Sequence, residues 1–315
     1  MKLLLRPLLM KLLLPVTLIL SSTDAFLFTA RNNNIGKSYS LGTPRRRTMT
    51  TSTAAAAAAA EEDTAAAEQA VDHNMTSKYD ELAKLIVHEV EQHPHPQYWC
   101  AITGGPGAGK STLAQAVSTV CTDTYDISSI VIPMDGYHYS KDELRRLDPP
   151  EAIDYLPRRG APHTFDAERF VTDLTAAKQT QHGAFPVYDR TVSDPIENGV
   201  QLTPNHRIVF IEGNYLLLGC GGMVPGYVTA TEAARWSPLP ALFDTTWFVT
   251  PTRGLPEQRQ RLITRHLATW TAAKTLLFRA TNAQDGATKR TESNDLLNVH
   301  VVNTCRSYAD VIIEN

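Results

Sequence analysis

The stretch from Gly104 to Thr112 reads GGPGAGKST and fits GxxxxGK[ST], with Gly104, Gly109, Lys110 and Ser111 at the required spacing. Ahead of it the apolar run Tyr98-Trp99-Cys100-Ala101-Ile102-Thr103 predicts a buried strand, and behind it Ser111 to Val120 predicts a helix. Nothing else in the chain restricts the fold as strongly. Strand, glycine loop and helix in that order make a phosphate site, because glycines let the backbone curl until successive N–H groups point inward beside the positive end of the helix. On this reading Gly104, Gly105, Pro106, Gly107, Ala108, Gly109, Lys110, Ser111 and Thr112 cradle a nucleotide such as ATP. Lys110 then reaches the β and γ phosphates and the Ser111 hydroxyl is placed for Mg²⁺. The plain alternative is a glycine-rich turn with no ligand.

Of the 315 residues 43% are hydrophobic, which suffices for one large core even without an extended N-terminus. One catalytic domain of about 240 residues is the simplest organisation. The first 60 residues hold eight of the 30 Lys and Arg but only Asp24 of the 33 acids, leaving 22 bases against 32 acids in the remainder. An acidic body argues against a nucleic-acid partner. Cys100, Cys121, Cys220 and Cys305 are widely spaced, with no CxxC pair, and are expected to be buried, inert thiols.

Lys2, Arg6 and Lys11 precede the apolar run Leu12 to Leu20, and small or polar residues follow it. That is the order of a secretory signal peptide over residues 1–25; nine uncharged residues cannot span a bilayer. Residues 26–60 lack acids, are rich in Ser, Thr, Asn and Arg, and end in seven alanines, a composition resembling a transit peptide. Together they look like the bipartite presequence of algal plastids reached through the secretory pathway. The expected destination is a plastid stroma, with a mitochondrion or the secretory pathway as alternatives, and no stable membrane association of the mature chain. Residues 61–77 read as a polar linker and 78–315 as the folded domain, beginning with a helix over Lys78 to His93.

Ser128 to Met134 predicts a short strand that delivers Asp135 to its carboxyl end, where ligands of open α/β sheets sit. A carboxylate there can take or orient the proton of an attacking hydroxyl; equally, Asp-Gly is a common turn that Asp135 could merely cap. Arg207 to Glu212 predicts a central strand ending in an acid that is hard to place in a core without a partner. Further elements are a helix with Asp166 as N-cap, a strand at Thr245 to Thr250, a helix over Pro256 to Trp270, and a last strand at Ala309 to Glu314.

The phosphate loop, the DGYH segment, PRRGAPHTFD (Pro157 to Asp166), PVYDRTVSDP (Pro186 to Pro195), IVFIEGNYLLL (Ile208 to Leu218), RQRLITRH (Arg259 to His266) and SYADVIIE (Ser307 to Glu314) occur in an order that resembles the phosphoribulokinase/uridine kinase family of P-loop kinases. Within it the chain looks closest to the fructokinase-like and pantothenate kinase-like branch. The resemblance implies a three-layer α/β sandwich around a mainly parallel sheet with a helical lid. The implied activity is transfer of the ATP γ-phosphoryl group, with Mg²⁺, to an alcohol of a small molecule: a sugar-like, nucleoside or pantothenate-type metabolite.

By the same resemblance Asp135 is the general base and Glu212 completes the Mg²⁺ shell with Ser111. Lid arginines Arg261 and Arg265 steady the transferring group beside Lys110; an exposed basic helix face is the alternative. Tyr137, His138, Arg158, Arg159, His163, Tyr188 and Asp189 are implied near the acceptor, although Arg158 and Arg159 could equally be a solvated basic pair. Asn294, Asp295 and Asn298 fall where relatives carry a similar pattern near the nucleotide. Two departures matter: Ser193-Asp194 stands where nucleoside kinases carry a histidine, and the loop residues Pro106, Gly107 and Ala108 lack the regulatory cysteine of the plastid phosphoribulokinase. A nucleotide switch that hydrolyses ATP without an acceptor is the rival class, and the sequence leaves the oligomeric state open.

Overall fold

The computed structural model describes residues 77–147, 155–222 and 224–315. The expected signal peptide, transit-like segment and nearly all of the linker lie outside the described residues. Seven strands are present among the described residues: β1 (Tyr98–Thr103), β2 (Ser129–Pro133), β3 (Gly183–Asp189), β4 (Asp194–Leu202), β5 (Ile208–Gly213), β6 (Thr245–Thr250) and β7 (Val311–Glu314). Helices are α1 over residues 77–92, α2 (Lys110–Asp123), α3 (Lys141–Leu147), α4 (Ala167–Thr180), α5 (Ala230–Arg235), α6 (Leu255–Ala268), α7 (Ala272–Leu277), α8 (Ala283–Arg290) and α9 (Leu296–Asn303).

Strand β1 is apolar at nearly every position because both its faces are covered. Tyr98, Cys100 and Ile102 enter one core with Ile86 and Val90 of α1 and Leu113 and Val117 of α2. Trp99 and Ala101 enter a second core with Phe170 and Leu174 of α4 and Val301 of α9. Three layers result, as the sequence leads one to expect, and each fully buried large side chain contributes on the order of 1.5–3 kcal/mol. Five strands pair in parallel in the order β2-β5-β1-β6-β7. From β1 the chain crosses to β2 on one side, and from β5 it crosses to β6 on the other. The crevice beyond the carboxyl ends of β1 and β5 is therefore the topological switch point.

The sequence boundaries shift by a few residues. Helix α2 continues to Asp123 rather than ending at Val120, and α6 stops at Ala268, short of Trp270. Asp166 caps α4, accepting from the Arg169 amide at 3.0 Å, with Phe170 and Leu174 buried beneath. An antiparallel pair, β3 with β4, forms a separate ribbon. Only the apolar run Ala184 to Val187 announces it; β4, read DPIENGVQL, is largely exposed and carries no clean alternation. Between α8 and α9 a π-helical turn spans Thr291–Asp295. Among the described residues no helix is long and apolar enough to cross a membrane. Cys100, Cys121 and Cys305 are buried and Cys220 half-buried, all free; burial pushes the Cys121 thiol up to about 12.

Candidate active site

Sheet register sets the site. Ile102 of β1, Glu212 of β5 and Pro133 of β2 stand in one row across the sheet. Two residues beyond that row the chain reaches Gly104, Asn214 and Asp135, so the glycine loop, the β5 turn and the Asp-Gly turn emerge side by side. Gly109 ends the loop at φ 93°, a left-handed conformation suited to glycine, and forms the N-cap of α2. The first-turn amides of α2 have no intrahelical partner and face the loop opening.

Lys110, 7% exposed, donates to the Asn214 side-chain oxygen at 2.7 Å and to the Gly105 carbonyl at 3.3 Å, with Glu212 at 3.9 Å. Burial draws its ammonium below the ordinary range, against the pull of Glu212 and Asp135, while Arg265 adds to the depression. Glu212 shows the converse: burial raises its carboxyl, Asp135 adds to that, and Lys110, a hydrogen bond with Ser111 and the charge of Arg190 oppose it. Asn214 also accepts from the Thr103 hydroxyl through its carbonyl at 3.1 Å, which ties the β5 turn to the end of β1.

Asp135 lies in a short 3₁₀ turn, Met134–Tyr137. Its backbone oxygen accepts from the His138 amide and, at 2.8 Å, from His138 Nδ1. A carbonyl only accepts, so Nδ1 carries the proton and Nε2 is left as an acceptor. Burial draws the His138 imidazole below its ordinary value. Its ring packs between Phe165 (3.9 Å) and Tyr188 (5.0 Å). Gly136 allows the turn to touch the ribbon: a Cβ there would sit 2.0 Å from the Pro186 carbonyl oxygen.

Helix α6 roofs the loop. Gln258 donates to the Pro106 carbonyl at 2.8 Å, and Leu262 lies over Gly107. Arg261 bonds Glu257 (2.7 Å) and the Asn315 carbonyl (3.1 Å), while the Asn315 side chain donates to Ala108 at 3.3 Å. Arg265 is exposed and its side chain has no hydrogen-bond or ion-pair partner among the described residues, yet it lies near enough to Lys110 to lower its basicity.

No family model matches the chain. A Schizosaccharomyces pombe protein named "Putative uridine kinase" is 31% identical over 247 residues, spanning 78% of this chain and 93% of that protein. The chain belongs to the phosphoribulokinase/uridine kinase family of P-loop kinases. A pantothenate kinase of Ligilactobacillus salivarius is 26% identical over 36% of the chain and 35% of its own length. Among solved structures, a "putative fructose transport system kinase" from Silicibacter sp. TM1040 superposes with a TM-score of 0.58 at 27% identity, covering 75% of this chain and 98% of that one. The Saccharomyces cerevisiae YFH7 protein shares the fold at a TM-score of 0.57 and 16% identity, covering 76% of this chain and 99% of its own. This chain is thus a nucleotide-binding phosphotransferase that uses an alcohol acceptor and acts on a small molecule.

On the acceptor side of this kinase the expected residues divide. Tyr137 is corrected: it is buried under α4, its hydroxyl donating to Asp173 at 2.8 Å and its ring on Phe170, because its side of the 3₁₀ turn faces the core. Asp189 is also turned elsewhere, accepting from the Thr191 amide (2.7 Å) and hydroxyl (2.6 Å) in a local turn. Arg159 is engaged by Asp194 (2.7 Å), the Tyr139 carbonyl (2.8 Å) and the Ser193 carbonyl, so it joins the loop to the ribbon in the region where nucleoside kinases carry histidine. His163 sits 3.7 Å from Glu232 at the start of α5. Tyr188 packs on His138, and Arg158 lies over the Tyr227 ring at 4.6 Å.

Asn294, Asp295 and Asn298 act as ties. Asn294 donates to the Arg159 carbonyl at 3.1 Å, Asp295 pairs with His266 at 2.7 Å, and Asn298 accepts from the Tyr227 hydroxyl. Sequence reading missed Asn214, Gln258 and Asn315, each a neutral amide held against the glycine loop. Asn214 alone had a signal, being two residues past the acid of a central strand.

Proposed function

We propose that the protein transfers the γ-phosphoryl group of ATP, with Mg²⁺, to a hydroxyl of a sugar-like, nucleoside or pantothenate-type metabolite. The observation that carries this reading is the convergence of Lys110, Glu212 and Asp135 at the carboxyl ends of β1, β5 and β2. The residues present fit the nucleotide: Gly104, Gly107 and Gly109 hold the positive φ that curls the loop, and the Lys110 ammonium is enclosed with only oxygen partners. They fit the metal as well. Among the described residues no group of three or more His, Cys, Asp or Glu could cage an ion, and Mg²⁺ in such sites needs only one carboxylate, a hydroxyl, water and phosphate oxygens. Ser111 and Glu212 would hold it.

Bound Mg-ATP supplies the phosphoryl group and neutralises the charge that develops on it. The chain's own part is positioning. Lys110 and the loop amides hold the phosphates, and α6 brings Arg265 over them and excludes water. Asp135 accepts the proton of the acceptor hydroxyl, and His138 Nε2 offers a second acceptor beside it. Support for the acceptor class comes from the names of relatives: uridine for the fission yeast protein, pantothenate for the bacterial one, and fructose transport for the Silicibacter structure. We further propose delivery to a plastid stroma, on the presequence pattern alone.

The test is ADP release with Mg-ATP and a panel of fructose, ribulose 5-phosphate, uridine, pantothenate and glycerate. Release that depends on one acceptor is expected. Equal hydrolysis with and without every compound would favour the acceptor-free switch instead.

A further inference from the structure

The loop that bears Arg158 is held rigidly. Arg290 donates to the Pro157 and Arg159 carbonyls, Asn294 shares the latter, and Tyr215 donates to the Gly160 carbonyl at 2.6 Å. Tyr215 directly follows Asn214, the partner of Lys110, so the loop is fastened to the rim of the transfer site. Its two arginines have opposite fates. Arg159 has a carboxylate in Asp194, and the clamping Arg290 has Asp295 at 3.9 Å. The Arg158 side chain has neither an ion pair nor a hydrogen bond among the described residues; its Nε, like that of Arg159, is fully enclosed and unpartnered. Among the described residues its guanidinium lies against the Tyr227 ring face, and that ring is itself fixed by Asn298.

A ring face returns about 0.5–2 kcal/mol to a guanidinium, whereas an enclosed polar N–H without a partner costs about 1–3 kcal/mol. A fixed loop that presents an arginine in this way is completed by an oxyanion, which a guanidinium binds through two parallel hydrogen bonds. The excess of positive charge extends along the cleft: the side chains of Arg190 and Arg265 also lack hydrogen-bond and ion-pair partners among the described residues, and their fields reach Glu212 and Lys110. With Arg265 on the nucleotide side, Arg158 is left for the acceptor.

We propose that the acceptor alcohol carries its own anionic group, a carboxylate or a phosphate, and that Arg158 binds it. This rests on the kinase reading above and narrows it, excluding neutral sugars and nucleosides as the preferred substrates. The Arg158 contact is a binding and specificity contact; it moves no proton.

The experiment compares charged and neutral members of matched pairs: D-glycerate with glycerol, pantothenate with pantothenol, and ribulose 5-phosphate with ribulose. The first two pairs report a carboxylate and the third a phosphate. The wild-type full chain should favour the charged member of its best pair by at least about 10-fold in kcat/KM, as expected for one charged hydrogen-bonded contact. Arg158→Gln should raise KM for that acceptor by about 10–100-fold, with KM for ATP unchanged, and Arg158→Lys should recover part of the loss. Neutral members used as well as charged ones, or an Arg158→Gln effect equal on both members, would overturn the inference while leaving the kinase reading in place. ADP release indifferent to every acceptor would remove both.

Discussion

Asn214 Oδ1 lies 2.7 Å from Lys110 Nζ, whereas the nearest oxygen of Glu212 lies 3.9 Å away. A neutral amide, rather than the buried acid, fixes the ammonium in place. This leaves Glu212 available to Ser111 and spares the lysine a tight ion pair it would have to break to meet phosphate. Replacing Asn214 with Ala should raise KM for ATP by about 10–100-fold, the worth of one hydrogen bond to a charged group. Steady-state kinetics at saturating acceptor measures it, and unaltered KM would mean the loop alone positions Lys110.

Asp135 has no side-chain hydrogen-bond partner among the described residues, while its backbone is held by His138. Asp135→Asn should lower kcat by about 10²–10⁴-fold, the usual range for losing a general base, with the thermal shift produced by Mg-ATP unchanged. Lys110→Ala should abolish both transfer and that shift. Wild-type turnover in the Asp135 variant would remove it from the base role.

Gly136 faces the Pro186 carbonyl at a distance no side chain tolerates. Gly136→Ala must push the Asp135 turn away from β3 and should cost about 1–3 kcal/mol of stability, the range for overpacking. Chemical denaturation of the variant would show it. A melting curve superimposable on the wild type would mean the ribbon yields freely.

Asp295 ties α6 to the π-helical turn. Burial pushes its carboxyl up, but the His266 hydrogen bond and the charges of Arg290, His266 and Arg265 outweigh that and hold it below the usual 3.8. The stabilisation is therefore complete above that usual value and is lost as pH falls through the depressed one. Melting temperature should drop more steeply below about pH 4 in the wild type than in Asp295→Asn, which starts from a lower value at neutral pH. Parallel profiles would show that the pair contributes nothing.

Much of the transfer half of the site was legible in the sequence. Glu212 ends the apolar run of β5, and Lys110 and Ser111 follow the glycine loop that leaves the apolar run of β1, so their neighbourhood follows from strand adjacency. The acceptor half was less so. Tyr137, His138 and Asp135 are near neighbours in sequence, yet a 3₁₀ turn points one into the core and the others out, and no pattern of residue types reveals that rotation. Arg158 and Arg159 look alike in the chain; only the distant Asp194 and Tyr227 distinguish them. The amides of Gln258 and Asn315 reach the glycine loop from 152 and 207 residues away, where no local periodicity carries information.

The β3–β4 ribbon pairs with no strand of the parallel sheet. Its exchange or lengthening would leave every hydrogen bond of the ladder that aligns Ile102, Glu212 and Pro133 intact. Evolution could therefore retailor which alcohol is admitted by editing a peripheral hairpin and the arginine loop fastened to it, while the phosphorylating apparatus passes unaltered from one lineage to the next.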